Sequence, residues 1–530
     1  MKKTLPKKFI NISAPARAGR REWIGLVVLA LPCLLYSMDL TVLNLAVPSL
    51  SADLKPSSTQ LLWIVDIYGF LVAGSLITMG TLGDHIGRRR LLLTGAVVFG
   101  LASTFAAFAN SAGMLIAARA LLGLAGATIA PSTLSLIRNM FHNPDQRTFA
   151  IGVWATSYSV GGAIGPLLGG LLLEYFWWGS VFLLAVPVMA LLLVLGPSLL
   201  PEFGEPKTGR LDLISAGMSL AAVLGVIYGL KHIAQDGLSW LSALTILAGL
   251  LMGAMFLRRQ QILVNPLIQL RLFRSRVFSA ALLMNLLGTF IVFGIFLFIA
   301  QYLQLVLGLS PLQAGLWTLP QSAGVMASSM LAPAIVRRFR PQFVVAGGLV
   351  LLAIGLGLLT QVDGPASLPV LVIGSVILSL GLGPLFVLTT DLILGSAPPE
   401  QAGAASALSE TGSEFGGAMG IAVLGSLGAA VYRSMMAKIS VQGLPLEATE
   451  TARGTLGGAL AVAHQLPNQL SVGLLGAARE AFTQAFETVA VLGAIIALGT
   501  AALALIVLRK VELRAEQKAQ PPAPAQATTD

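Results

Sequence analysis

The chain reads as an all-α polytopic membrane protein of fourteen transmembrane helices, and three observations predict it. The 530 residues are 56% hydrophobic and 11% charged with a mean hydropathy of +0.84, too apolar for a soluble chain of this length. Apolar runs long enough to cross a bilayer, roughly 20 residues each, recur fourteen times. Lys and Arg gather in short clusters between those runs, as the positive-inside rule expects. The net charge of +10 therefore reports topology, and nucleic-acid binding is set aside.

The first run, 24–47, follows a basic tail containing Lys2, Lys3, Lys7, Lys8, Arg17, Arg20 and Arg21. It is too long for a signal peptide and lacks a small-residue cleavage site, so it reads as a retained helix. Five more runs follow at 61–80, 91–110, 113–137, 149–173 and 179–200. Runs at 211–230 and 239–257 come next, and then six at 278–305, 312–336, 342–361, 368–394, 403–432 and 484–508. The stretch Gly80 to Arg90 after the second run is echoed by Ala332 to Arg340 after the tenth, which suggests two six-helix halves joined by two inserted helices. The expected organisation is a cytoplasmic basic tail over 1–21, an N-terminal half over 22–200, inserted linker helices over 201–260 and a C-terminal half over 261–510. Within that second half, 433–483 forms a long extracellular segment, either a helical hairpin on the outer surface or an irregular loop. The Ala-, Pro- and Gln-rich tail over 511–530 is expected to be disordered and cytoplasmic. With a cytoplasmic N-terminus, 26 of the 33 Lys and Arg fall inside and six outside, leaving Arg119 within a span; both termini are then cytoplasmic.

Charged side chains at membrane depth cost at least about 2.5–3.5 kcal/mol each, so each needs a reason. Asp39 lies in the first run, Asp66 near the outer part of the second, Arg119 in the fourth, Asp391 in the twelfth, and Glu410 and Glu414 in the thirteenth. Glu410 and Glu414 are four apart and share one helix face, where two ionised carboxylates would repel. One of them is expected to hold a proton at neutral pH, the starting condition for proton-coupled binding; the plainer reading makes one an interfacial helix cap. Asp39, Thr41 and Asn44 form a polar stripe. A spatial partner such as Arg119 would make Asp39 structural, but the reading adopted is a protonation or gating role. Asp66 is close enough to the outer interface to be partly hydrated. Asp84, Gly87 and the run Arg88 to Arg90 occupy a short cytoplasmic loop, a pattern that alone signals topology. Gly161, Gly165 and Gly169 recur every fourth residue with Pro166 among them, making a smooth, kinked helix face for close packing. The scattered His85, His142, His232 and His464 have no metal-ligand spacing, and no Walker A motif occurs, so neither metal nor nucleotide chemistry is expected. The single cysteine, Cys33, reads as helix packing.

Several of these segments together resemble the major facilitator superfamily, and within it the fourteen-helix drug/proton antiporters of the QacA/SmvA type that export quaternary ammonium compounds. Gly80 to Arg90 is similar to the family's loop between helices 2 and 3, with Asp84, Gly87, Arg88 and Arg89 in place and His85 where a basic residue is usual. Met38 to Pro48 resembles the helix 1 motif whose aspartate, here Asp39, takes part in proton coupling. Leu115 to Gly123 is similar to the helix 4 motif with its buried arginine, Arg119, although Leu122 replaces the common glutamine. Gly161 to Gly170 resembles the helix 5 antiporter motif that separates exporters from symporters, and Trp63 to Tyr68 is similar to a stretch of the quaternary-ammonium exporters.

The resemblance implies a proton-coupled antiporter exporting lipophilic cations (quaternary ammonium compounds, cationic dyes, biguanides) from the bacterial inner membrane; the alternative cargo is an endogenous metabolite, peptide or siderophore. Substrate is expected in a central cavity lined by Asp39, Asp391, Glu410 and Glu414, with Trp154, Tyr158 and Phe415 as aromatic neighbours. Proton coupling falls to Asp39, Arg119, Glu410 and Glu414, and conformational gating to Asp66, Asp84, Gly87, Arg88, Arg89, Gly161, Gly165, Pro166 and Gly169. Membrane lipids, cationic drugs and protons are the expected partners. The proton gradient is the expected energy source, with no cofactor, no metal, no enzymatic activity and a functional monomer.

Overall fold

The computed structural model describes residues 17–202, 212–236, 239–263, 266, 270–396, 402–438 and 446–510. The two terminal tails, and much of the 201–210 linker, lie outside the described residues. The first eight helices are α1 (Arg20–Leu54), α2 (Ser58–Ile86), α3 (Arg88–Ala107), α4 (Ala112–Gly126), α5 (Ile129–Met140), α6 (Pro144–Tyr175), α7 (Ser180–Leu183) and α8 (Ala185–Leu199). Next come α9 (Leu213–Asp236) and α10 (Trp240–Ile262). The remainder are α11 (Arg276–Gln301), α12 (Pro311–Trp317), α13 (Leu319–Ile335), α14 (Pro341–Leu359), α15 (Leu368–Gly395), α16 (Ala402–Ala437), α17 (Leu446–Gly454), α18 (Leu456–Ala463) and α19 (Asn468–Val507). No strand occurs among the described residues.

Among the described residues, twelve helical segments are long and apolar enough to cross a membrane. Two of the fourteen expected runs are helical but fall short of that measure. In α9 the apolar stretch is confined to Ile214–Gly229. The run at 312–336 is broken at Thr318 into α12 and α13, because Pro320, without an N–H, sits in the first turn of the second piece. Similar breaks divide α4 from α5 ahead of Pro131 and α7 from α8 ahead of Pro187. The 433–483 segment, left open between hairpin and loop, contains two short helices, α17 and α18, and the first turns of α19.

The helices pack as two sets. α1 lies on α6, α2 on α4, and α3 on α4 and α8; in the second set α11 lies on α16, α14 on α15 and α19, and α13 on α15. The α1–α6 approach follows from the glycine spacing. A Cβ at Gly161 would overlap the Leu34 carbonyl, one at Gly165 the Thr41 hydroxyl, and one at Gly169 would stand 2.7 Å from Val42 Cγ1. The same helix meets α12, where a Cβ at Gly170 would stand 2.7 Å from the Pro311 carbonyl. The pair α9–α10 sits against both sets, since α9 packs on α2 and on α16. Trp63 and Phe70 of α2, Val223, Leu224 and Ile227 of α9, and Ala418 and Ala422 of α16 form that seam.

Candidate functional site

Asp39 and Arg119 face each other inside the first set. Arg119 Nη1 donates to Asp39 Oδ2 at 2.5 Å, Nε donates to the Ile64 carbonyl at 3.2 Å, and the guanidinium lies 4.5 Å above the centre of the Tyr68 ring. Its side chain is 1% exposed against 15% for Asp39. Leu35, Met38, Phe99, Val181 and Phe182 line the space around Asp39. The structure therefore sets Asp39 among α1, α3 and the α7–α8 break, paired with Arg119.

Glu414 is one of the points at which the two sets meet. Tyr36 Oη on α1 donates to Glu414 Oε1 on α16 at 2.7 Å. Tyr36 is one of a row of rings: Trp154 to Tyr158 is 5.0 Å between centres, Tyr158 to Tyr36 5.7 Å and Tyr36 to Tyr68 5.9 Å, with Arg119 at the end of the row. Trp154 Nε1 is anchored by donating to Thr133 Oγ1 at 3.0 Å. Glu410, half-buried one turn before Glu414, lies within electrostatic range of Tyr36, Tyr158 and Cys33. Neither glutamate has a Lys or Arg partner among the described residues.

On its other side Glu414 shares a small cavity with Asp66, Thr289, Phe293 and Ser413. Asp66 is 1% exposed, so it stands in the interior beside Glu414 and not at a hydrated outer edge. Asp391 is exposed near the end of α15, and Phe415 is half-buried, turned about 100° around α16 from Glu414. The structure thus brings together Glu410, Glu414, Trp154 and Tyr158 from the expected set, while Asp391 makes no hydrogen bond or ion pair with them among the described residues. Sequence reasoning assigned no role to Tyr36 and Tyr68. Tyr36 stands three residues before Asp39 on one helix face, which is the signal that would have found it.

Among the gating residues, Gly87 caps α2 at φ 102°, a conformation that favours glycine, and a Cβ there would overlap the Glu202 carboxylate. Arg89 Nε pairs with Glu202 Oε2 at 3.2 Å, and its Nη1 donates to the Leu200 carbonyl at 3.0 Å. Arg88 Nη1 donates to the Pro131 carbonyl at 3.4 Å. Glu202, unremarked in the sequence, is what the second arginine needs. The side chain of Asp84 lies outside the described residues. No group of three or more His, Cys, Asp or Glu among the described residues is arranged to hold a metal ion.

Residues 29–421 match the Major Facilitator Superfamily. The chain belongs to that superfamily. Similar proteins include the multidrug efflux pump LfrA of Mycolicibacterium smegmatis, 43% identical over 93% of this chain and 98% of that one. The methyl viologen resistance protein SmvA of Salmonella typhimurium is 38% identical over 87% of this chain and 93% of its own length. Among solved structures, a bacterial homologue of the human lysosomal transporter Spinster, in an inward-facing, unoccupied conformation, covers 96% of this chain and is itself covered in full, with a TM-score of 0.67 at 17% identity. That likeness concerns the fold alone. As a major facilitator, the chain is a multi-pass membrane transporter and not an enzyme.

Proposed function

We propose that this major facilitator is a proton-coupled multidrug exporter of lipophilic cations, such as quaternary ammonium compounds, cationic dyes and biguanides, working as a monomer in a bacterial inner membrane with both termini cytoplasmic. The observation that carries the reading is the Glu410–Glu414 face opposite the row Trp154, Tyr158 and Tyr36. Carboxylates without a protein cation attract a positive cargo, and ring faces hold its apolar body. The relatives named for multidrug efflux and methyl viologen resistance support the same cargo class. A bound cation favours the ionised carboxylate, and a proton on that carboxylate weakens cation binding by the same coupling free energy. Competition of this kind is sufficient for exchange when the two sets rock about Glu414 and present it to each side in turn. The proton gradient then supplies the energy with no further cofactor, and Asp39 and Arg119 relay between protonation and rocking.

The test is reconstitution in liposomes holding a pH-sensitive dye under an imposed proton gradient. Adding a quaternary ammonium cation should dissipate the gradient in the wild type and fail to do so in Glu414→Gln. A wild type that moves no protons with any cation tried would return the cargo to the endogenous-metabolite class.

A further inference from the structure

We infer that the α13–α14 loop binds the anionic headgroup of a membrane phospholipid, whose phosphate takes the place that a protein carboxylate fills in the first helix set. The two basic loops that echo each other in the sequence are completed differently in the structure. After α2, Gly87 caps α3, and the Glu202 carboxylate lies against that helix start, 3.2 Å from Arg89 and 3.8 Å from Arg90. An anion is favoured there because the first amides of a helix lack partners within it and carry partial positive charge. After α13, Arg337, Arg338 and Arg340 lead into α14, which likewise starts without a side-chain cap. All three are exposed, and none has a side-chain hydrogen bond or ion pair among the described residues.

Among the described residues no carboxylate plays the part of Glu202 in the second set, since Asp391, exposed near the end of α15, pairs with none of these arginines. Arg509 adds a further exposed charge at the same end, because Leu508 before it packs with Val336 and Val344 in one cluster. Unpaired guanidiniums gathered at a helix start suit a phosphate, which can accept two hydrogen bonds from one arginine. The side chains beside the charges specify a lipid and not a free anion. Phe339, between the arginines, is 59% exposed, and Phe343 in the first turn of α14 is 56% exposed. Val350, Leu351 and Ile354 follow Phe343 at helical spacing and continue an exposed apolar track along α14. A headgroup held at the loop therefore has its acyl chains laid along that track. The two sets differ in where the anion comes from: the first carries its own, and the second takes one from the bilayer.

The experiment is native mass spectrometry of the full-length purified protein titrated with phosphatidylglycerol or with phosphatidylcholine of the same acyl chains. The wild type should bind phosphatidylglycerol at least about fivefold more tightly than phosphatidylcholine. The triple change Arg337→Gln, Arg338→Gln and Arg340→Gln should abolish that preference, and the pair Arg138→Gln and Arg147→Gln, exposed on the first set, should keep it. Phe339→Glu leaves the arginines in place but supplies an internal carboxylate, as Glu202 does in the first set, and should abolish the preference too; it decides the matter should the triple variant fail to fold. Glycerol phosphate, the headgroup chemistry without chains, should not displace the lipid at equal concentration. Displacement by it would assign the loop to a soluble anion and overturn the lipid site. A wild type without the preference, a preference that survives in the folded loop variants, or one lost equally in the first-set pair would overturn it as well.

Discussion

A guanidinium with 1% of its side chain exposed needs partners, and Arg119 has three of different kinds: the Asp39 carboxylate, the Ile64 carbonyl and the Tyr68 ring face. Removing it leaves Asp39 charged and unpaired. Arg119→Leu should lower stability by about 3–5 kcal/mol, and adding Asp39→Asn to the same chain should recover a good part of that loss. Thermal unfolding of the four proteins in detergent reads the coupling, and losses that simply add would mean the pair contributes nothing as a pair. Each charge was legible in the sequence, because an ionisable residue in an apolar run is conspicuous at any position. What each one touches was not, since Arg119 is 80 residues from Asp39 and Glu414 is 378 from Tyr36.

At the scale of elements, α9 and α10 show how a hairpin is held at its membrane edge. Arg259 Nη2 donates to Asp212 Oδ1 at 3.0 Å and its Nε to Ser215 Oγ at 3.1 Å, while Gln260 Nε2 donates to the same hydroxyl at 2.8 Å. Partial burial works against the Asp212 charge, but the Arg259 guanidinium and the two hydrogen bonds from Ser215 outweigh it and hold the carboxyl below the usual carboxylate range. A lowered value in the folded state means that the stabilisation is present above the unfolded carboxyl's value, about 3.9, and is lost as the pH falls through the folded one. Asp212→Asn should therefore lower the melting temperature at pH 7 by an amount corresponding to about 1 kcal/mol, and the difference from wild type should shrink toward pH 3. A difference independent of pH would show that the carboxylate charge is not what holds the hairpin. The two apolar runs were legible as an insertion. Their seat across α2 and α16 was not, because small and aromatic residues such as Ala418, Ala422 and Phe70 read the same whether they face a neighbour or lipid.

Over the whole molecule, ties between the two sets lie at Glu414 and toward the ends that carry α17 and α18. Gln304 Nε2 donates to the Leu45 carbonyl at 3.1 Å, and Ser58 Oγ to the Gly454 carbonyl at 2.6 Å. Tyr432 Oη holds the same α17 segment through the Ala452 carbonyl at 2.9 Å. If the sets rock about Glu414, these ties must part in each cycle. In a Cys33→Ser background, Ser58→Cys with Gly454→Cys should be bridged by a short, reducible bis-thiol-reactive reagent, since the Ser58 hydroxyl reaches the Gly454 carbonyl at 2.6 Å and a Cβ at Gly454 would stand in open space. The cross-linked transporter should lose export to background while still binding cation, and reduction should restore transport. Full export by the cross-linked protein would mean that this end does not open.

The sequence by itself determined that the chain lives in a membrane and crosses it many times, because the bilayer imposes length and hydropathy locally on each helix. It also determined that α6 offers a smooth face, since three glycines spaced four residues apart are a property of one helix alone. Only the tertiary structure decided that this face receives α1, that Asp39 belongs with Arg119, and that Glu414 is held by Tyr36 across the two sets. Those outcomes depend on which helices become neighbours. In a chain whose interior and lipid-facing surfaces are almost equally apolar, hydropathy carries little record of that choice.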